Sequence, residues 1–493
     1  MELELKSICF LLAAALLGGY AFVFGLLKKL HEWYHVAKVG MTKYPLPPGD
    51  MGWPVLGNIP TFIRKFKSDP DSFIFDLVAR YGKTGMYKTH LFGSPSIIVC
   101  TPETCRRVFT DDEQFKLGYP ESAKILTGRK AFHSISNAEH KRLRKLTTSP
   151  INGHEALSMY IDLIEHIAID SLEQLASMKE PVELLKELRH FAFKVITNIF
   201  VGSDADAVNL GFLEHCYTDL NQGLKSRVIN FPGFPFYKAM KARKKLVKLL
   251  QALLDGKRTP RTRKGERDVK RGMMDLLMEI KDEDGTPLDD EYIVDLLLLF
   301  FLAGHESSAH GVLWSVIFLT ANPEVFKKAK EEQEEVIKRR PSTQKGLTLS
   351  EIRQMHYLSM VIDEMLRRTS ISFSNFREAK MDVIMNGYKI PKGWKVLIWN
   401  RAVHMDPEVY TNPQEFNPSR WENRIVRPGT YLPFGLGSRL CPGSDLAKLE
   451  TAIFLHHFLL NYRMERINPD CPLKYLPCPH PADNCLARII KVE

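Results

Sequence analysis

Helical spacing of apolar positions dominates this chain, and strict alternation is confined to a few short segments. Residues 156–178, 181–201, 239–254 and 323–338 repeat apolar side chains every three or four positions, which predicts amphipathic helices. Residues 96–99 and 395–399 alternate and predict short strands. Residues 291–320 are different, being apolar on nearly every side. Asp295, Gly304, His305, Glu306 and His310 make them a poor membrane span, so they predict the central core helix of a large domain. Asn322-Pro323 breaks that helix, with Asn322 available as a cap. The whole pattern predicts a mainly α protein with small β-sheets at its edge.

The N-terminus has its own pattern. Residues 8–27 carry no charge, and about 20 helical residues cross the roughly 30 Å hydrocarbon layer of a bilayer. Lys28 and Lys29 follow directly, then His31, His35, Lys38 and Lys43, while Glu2 and Glu4 lie on the other side with Lys6. This asymmetry places the bulk of the chain in the cytosol. A cleaved signal peptide would carry a shorter apolar core with its positive charge in front. Residues 1–28 are therefore expected to be a retained transmembrane anchor. Proline fixes the backbone of Tyr44-Pro45-Leu46-Pro47-Pro48-Gly49, so residues 29–50 read as a basic, proline-rich hinge. Residues 51–493 follow without internal repeat or low-complexity break and read as one large domain.

Composition narrows the function classes. The eight cysteines are thinly spread over 493 residues with no C-x-x-C, which suits a reducing compartment better than a disulfide framework. Cys471, Cys478 and Cys485 recur at sevens near His480, but that spacing lacks the short chelating pairs of zinc sites. The net charge of +10 could suit nucleic acid, a membrane surface or an acidic partner. Its densest cluster, Lys257-Arg258-Thr259-Pro260-Arg261-Thr262-Arg263-Lys264, contains no aromatic residue for base stacking. It reads as a solvated linker, and no nucleic acid is expected as a partner.

The most informative stretch is Phe434-Gly435-Leu436-Gly437-Ser438-Arg439-Leu440-Cys441-Pro442-Gly443. Its glycines let the backbone turn tightly and aim N–H groups at the sulfur, which favours thiolate. Arg439 has the fork geometry to hold a carboxylate. Helical character over residues 444–462 adds a dipole that also favours a negative sulfur. This string resembles the cytochrome P-450 signature F-x-x-G-x-R-x-C-x-G at every fixed position. The resemblance implies the cytochrome P-450 fold, a single large haem domain behind the transmembrane helix. It further implies haem b (iron protoporphyrin IX) as cofactor, Cys441 as axial thiolate and metal ligand, and Phe434 and Arg439 as cofactor contacts. Thiolate ligation favours O–O cleavage.

Other segments agree in order along the chain. Ala303-Gly304-His305-Glu306-Ser307-Ser308 is similar to the family's oxygen-activation pattern. That similarity implies room for dioxygen at Ala303 and Gly304, and proton relay by Glu306 and Ser307. Serine stands where the family usually has threonine, which loses the methyl that restricts its rotamers. Glu364 and Arg367 form an E-x-x-R pair, and Phe416-Asn417-Pro418-Ser419-Arg420-Trp421 resembles the segment that completes a structural Glu364–Arg367–Arg420 network. His140-Lys141-Arg142-Leu143-Arg144 resembles the family's W-x-x-x-R, implying that His140 and Arg144 contact the haem. Arg377 matches a further propionate-contacting position.

At whole-chain level the sequence looks like plant oxidases of polycyclic isoprenoids: ent-kaurenoic acid oxidases of gibberellin synthesis and triterpene oxidases such as β-amyrin 11-oxidase. Phe115-Lys116-Leu117-Gly118-Tyr119 is similar to the triterpene branch, and Gly128-Arg129-Lys130 to the kaurenoic acid branch. Arg368-Thr369-Ser370-Ile371-Ser372-Phe373-Ser374 matches neither and is where altered specificity is expected. The reading favours a tetracyclic or pentacyclic triterpene, with ent-kaurenoic acid as the alternative. The aromatic run Phe231-Pro232-Gly233-Phe234-Pro235-Phe236 either dips into the bilayer or packs internally. No flavin-binding or G-x-G-x-x-G stretch is present, so electrons must come from a partner, by resemblance NADPH–cytochrome P-450 reductase. The implied address is the endoplasmic reticulum membrane, single-pass, with the catalytic domain cytosolic. The rivals are a peroxide-rearranging relative without reductase and a non-catalytic haem- or sterol-binding membrane protein. Glu306-Ser307 argues against the first of these.

Overall fold

The computed structural model describes residues 2–37, 39–40, 43–224, 226–258, 271–282, 284–423, 425–476 and 478–492. Most of the expected basic linker, residues 259–264, lies outside them. Lys257 is described: its Nζ lies 2.8 Å from Asp275 and 3.3 Å from Asp204. The chain divides into two compact units, Met1–Gly118 with Ser374–Val403 and Tyr119–Phe373 with His404–Glu493. The division runs across the expected 51–493 domain.

In the first unit a helix runs over Glu2–Ala37, past the apolar segment and through the basic residues expected to begin the hinge. The side chains of residues 1–17, 20 and 21, about two-thirds of the expected anchor, lie outside the described residues. A five-stranded sheet follows, in the order Met86–Leu91, Ser94–Val99, Lys395–Ile398, Asn375–Ala379, Phe115–Leu117. Only the Ser96↔Lys395 pairing runs parallel; the other neighbours are antiparallel. The side hairpin Val383–Met385 and Tyr388–Ile390 turns at Asn386-Gly387, both at positive φ, as a two-residue hairpin requires. Trp399 is buried against the rings of Phe62, Phe66 and Phe73, and the buried Arg401 forks onto Asp71 at 2.7 and 2.9 Å.

The second unit is helical. Its centre is Asp290–Ala321, packed against Leu184–Val201, Pro235–Arg258 and Ser444–Asn461. Among the described residues this helix alone is long and apolar enough to cross a membrane, yet most of its apolar stretch is buried inside the unit. That is the core helix its all-round hydrophobicity predicts. Asp289 accepts the Glu291 N–H at its start, and Asp290 and Glu291 suit the positive end of the dipole. At its end, Asn322 stands at the expected break and is the cap of the finished helix. Its Nδ2 donates to the Phe318 carbonyl at 2.7 Å, closing the finished helix, and it makes no side-chain cap on the helix Pro323–Arg339. The remaining helical expectations correspond to His154–Ser177, Leu184–Val201, Pro235–Arg258 and Pro323–Arg339. The expected strands correspond to Ser94–Val99 and Lys395–Ile398. A three-stranded sheet, Val182–Glu183, Leu486–Lys491 and Tyr462–Arg466, completes the second unit.

Candidate cofactor and oxygen site

Cys441 sits at the end of a loop that its own backbone closes. Gly435 and Gly437 take φ of 77° and 75°, a left-handed conformation that costs glycine nothing. The Cys441 N–H donates to the Phe434 carbonyl at 2.9 Å, and Leu440 N–H to Gly437 at 3.1 Å. The helix Ser444–Asn461 starts three residues later. Burial raises the thiol's pKa, while the Gly443 N–H and the Arg144 guanidinium act against it. Both opposing groups stabilise a negative sulfur, and a bound metal ion would complete the ionisation.

The surroundings fit a flat, acidic cofactor. Along the middle of the central helix most side chains are buried, yet Ala303 and Ser307, one turn apart, are exposed. They form an accessible stripe on a helix that packs against Ser444–Asn461, the helix that follows Cys441. Arg144 is half-buried, and among the described residues its guanidinium has no hydrogen-bond or ion-pair partner. A charged group in that position calls for an anion. His140 is buried edge-on to Phe132, with ring centroids 4.9 Å apart. Arg439 donates to Asn137 Oδ1 at 2.7 Å and to the Phe132 carbonyl at 3.4 Å. Arg377 belongs to the first unit, where it is buried within the Asn375–Ala379 strand, its guanidinium over the Phe109 ring.

The residues expected to activate oxygen divide between two sides of the helix. Ser307 Oγ, accessible, donates back to the Ala303 carbonyl at 2.7 Å and lies 3.3 Å from that of Gly304. Glu306 is gripped by Arg189, at 2.9 Å from Nε and 2.7 Å from Nη2. Burial pushes the Glu306 carboxyl up, but Arg189 and His310 outweigh it, and the group is held ionised. Gly304 faces Ile196, whose Cδ1 would lie 2.7 Å from an added Cβ, so its small size serves close helix packing.

The structural network is complete within the second unit. Glu364 accepts from Arg367 at 2.9 and 2.8 Å and from Arg420 at 3.2 Å. It also accepts from Trp421 Nε1 at 3.0 Å and from the Asn417 N–H at 3.1 Å. Arg367 spends its remaining donors on the carbonyls of His404, Pro413 and Glu415. Two segments expected at the substrate pocket carry framework bonds. Arg368 Nε donates to the Gln414 carbonyl at 2.7 Å, and the Lys130 N–H donates to the buried Asp295 at 3.1 Å. Gly128, at φ 110°, lies so close to the Asp295 carboxyl that no Cβ fits.

Three further groups escaped the sequence. Arg189 is one. His133 is another: burial beside Arg439 holds it near 4, so it is neutral, and its Nδ1 has no partner. The third is Glu450, fully buried and pushed up to about 8 by that burial. It is therefore largely a neutral acid at neutral pH.

Known proteins supply the remaining comparison. The chain is 57% identical to 7,8-epoxymelianol synthase of Citrus sinensis over 97% of this chain and 98% of that one. It is 54% identical to beta-amyrin 11-oxidase of Glycyrrhiza uralensis over the full length of both. It is also 54% identical to ent-kaurenoic acid oxidase 2 of Arabidopsis thaliana over 94% of each. The solved structure of the retinoic acid bound cyanobacterial CYP120A1 matches with a TM-score of 0.81 at 27% identity, over 92% of this chain and 100% of that one. Residues 47–478 match the family model described as Cytochrome P450. A thiol in a glycine-turned loop, an accessible Ala303–Ser307 stripe and these matches agree, and the chain belongs to the cytochrome P450 family of haem-thiolate monooxygenases.

Proposed function

We propose that this chain is a membrane-anchored monooxygenase that oxidises a tetracyclic or pentacyclic triterpene, using dioxygen and electrons from NADPH through a cytochrome P-450 reductase. The observation that carries the substrate class is full-length identity of 54–57% to enzymes named for epoxymelianol formation and β-amyrin oxidation. A second reading, ent-kaurenoic acid oxidation, is favoured by the 54% identity to that oxidase. Haem b is the cofactor of this reading, and when bound it supplies thiolate-assisted O–O cleavage. Among the described residues the Arg144 guanidinium and His133 Nδ1 are without hydrogen-bond partners, and in this reading they meet its acidic edge while Cys441 offers the ligand. Arg377 and Arg439 are further proposed contacts. The net charge of +10 suits an acidic reductase face.

In this reading residues 1–28 anchor the enzyme in the endoplasmic reticulum membrane with its catalytic part in the cytosol, supported by the uncharged residues 8–27 and the Lys28-Lys29 that follow them. Exposed rings support a second membrane contact: Phe231 is 65% and Phe234 42% exposed beside the exposed Val228 and Ile229. Such a patch suits the entrance of a substrate that partitions into lipid. Phe236 instead turns into the core.

Titration of the microsomal enzyme with β-amyrin-type and tetracyclic triterpenes should produce a substrate-induced spin shift, with NADPH-dependent product. A shift with ent-kaurenoic acid alone would transfer the assignment to the diterpenoid reading. Neither response, in protein with intact thiolate ligation, would overturn both.

Ser307 carries a separate expectation. Its hydroxyl is accessible and back-bonded, so it can accept a proton-carrying water on the open side while donating to the helix. Ser307→Ala should keep the cofactor and NADPH consumption, while product per NADPH falls about tenfold or more, within the range of lost general-acid assistance. Ser307→Thr should match or exceed the wild-type ratio, because the added methyl limits the rotamers. Unchanged coupling in the alanine variant would remove Ser307 from proton delivery.

A further inference from the structure

Far from the cysteine loop, the first unit gathers three imidazoles. His31 and His35 stand one turn apart on the N-terminal helix, a spacing that puts both rings on one face. His90 meets them from the strand Met86–Leu91. One ring nitrogen from each lies within 4.8 Å of the others, and no other such group occurs among the described residues. The rings are mutually close, with centroids 4.7, 5.1 and 5.3 Å apart. His31 Nε2 and His35 Nε2 are 3.1 Å apart. Tetrahedral ligation by imidazole nitrogens requires a separation of about 3.3 Å, so this pair needs little adjustment.

Two features separate this cluster from a chance contact of surface histidines. His90 is only 6% exposed, and its Nδ1 has no hydrogen-bond partner; His31 Nδ1 is also buried and without one. Leaving such nitrogens unsatisfied is costly, and buried polar groups nearly always find partners. The neighbouring acids are committed elsewhere. Glu32 pairs with Lys88 at 3.2 Å, and Asp50 with Lys28 and Arg80 at 3.6 and 3.3 Å.

We propose that His31, His35 and His90 form a binding site for one divalent transition-metal ion of the zinc class, clamping the N-terminal helix to the sheet of the first unit. Neutral imidazole is a preferred donor for such ions, and three protein ligands with a water in the fourth position is a common zinc arrangement. The clamp would hold the segment just after the apolar residues 8–27 at a set orientation to the strand Met86–Leu91.

The test uses the untagged, full-length holoenzyme in detergent, stripped with chelator and titrated with Co²⁺ while visible ligand-field absorption is followed. One equivalent should bind with the intense absorption of tetrahedral nitrogen ligation and be displaced by Zn²⁺. His31→Ala/His35→Ala and, separately, His35→Ala should lower Co²⁺ affinity at least about 100-fold. Their carbon monoxide difference spectra should stay intact, showing that the fold survives. His90→Gln, judged by the same spectrum, should behave alike. Wild-type protein that binds no more Co²⁺ than the double variant would overturn the proposal, as would a signal that survives loss of His35.

Discussion

Cys441→Ala is expected to abolish the long-wavelength carbon monoxide band of the reduced protein and to bring product formation down to background. The argument rests on how much of the loop serves one atom. Two glycines at positive φ turn the chain, the Cys441 N–H ties back to Phe434, and the Gly443 N–H and Arg144 offset the burial of the sulfur. None of these groups can stabilise a methyl side chain, and no second cysteine lies on the 434–443 loop to replace the ligand. Cys441→Ser offers a harder oxygen donor of similar size. It should retain some cofactor while losing the thiolate band, because softness and charge push are lost together. Microsomal difference spectra and product analysis check both variants. Retention of the band or undiminished product in Cys441→Ala would show that another residue ligates the iron.

What could be read from the chain alone follows from how local each requirement is. The cysteine loop is legible because its turns and its backbone bond from Cys441 to Phe434 are set within ten consecutive residues. The central helix is legible for a similar reason: continuous apolar character over about thirty residues has few other soluble explanations. Glu364, Arg367 and Arg420 were found from two short segments, and Trp421 and Asn417, beside Arg420, were the overlooked donors in the second. Arg189 had no local signal at all, since it meets Glu306 across 117 positions. The proton-relay pair looked like one unit in sequence, yet adjacent helical residues point about 100° apart. Glu306 accordingly faces Arg189 while Ser307 faces the open stripe. The segment from Arg368 to Ser374 was read as a specificity position because it departs from its relatives, and a bond such as that from Arg368 Nε to the Gln414 carbonyl, across 46 positions, had no local signal. At the N-terminus the hinge was placed where charge begins, whereas the helix continues to Ala37. Charge ends a hydrophobic segment; it does not end a helix, and Leu30, Glu32 and Ala37 are compatible with one. The sheet of the first unit joins strands almost 300 residues apart, a pairing that no local pattern reveals.

The second large effect is structural, at Glu364. This carboxylate is fully buried and accepts from Arg367, Arg420, Trp421 and a backbone N–H. Burial pushes its pKa up, but the two guanidiniums and the Asn417 N–H win, so it stays ionised. Arg367, equally inaccessible, also holds the carbonyls of His404, Pro413 and Glu415. Glu364→Ala therefore leaves the buried Arg367 cation without its counter-charge and strands the Trp421 donor. Breaking a buried pair in this way costs about 3–5 kcal/mol, a large share of the roughly 5–15 kcal/mol that holds a typical protein folded. The variant should accumulate little protein with a thiolate carbon monoxide band and unfold at markedly lower denaturant concentration. Glu364→Gln retains shape and one acceptor and should fall between the two. Arg367→Lys should resemble the alanine variant more than the wild type, because an ammonium cannot fork onto Glu364 while reaching three carbonyls. The contrast separates structure from chemistry. Any Glu364→Ala protein that does fold with cofactor should consume NADPH and form product normally per haem, since Glu364 is spent on holding the 404–421 segment. A well-folded Glu364→Ala protein with wild-type denaturant resistance would mean that the network contributes no net stability.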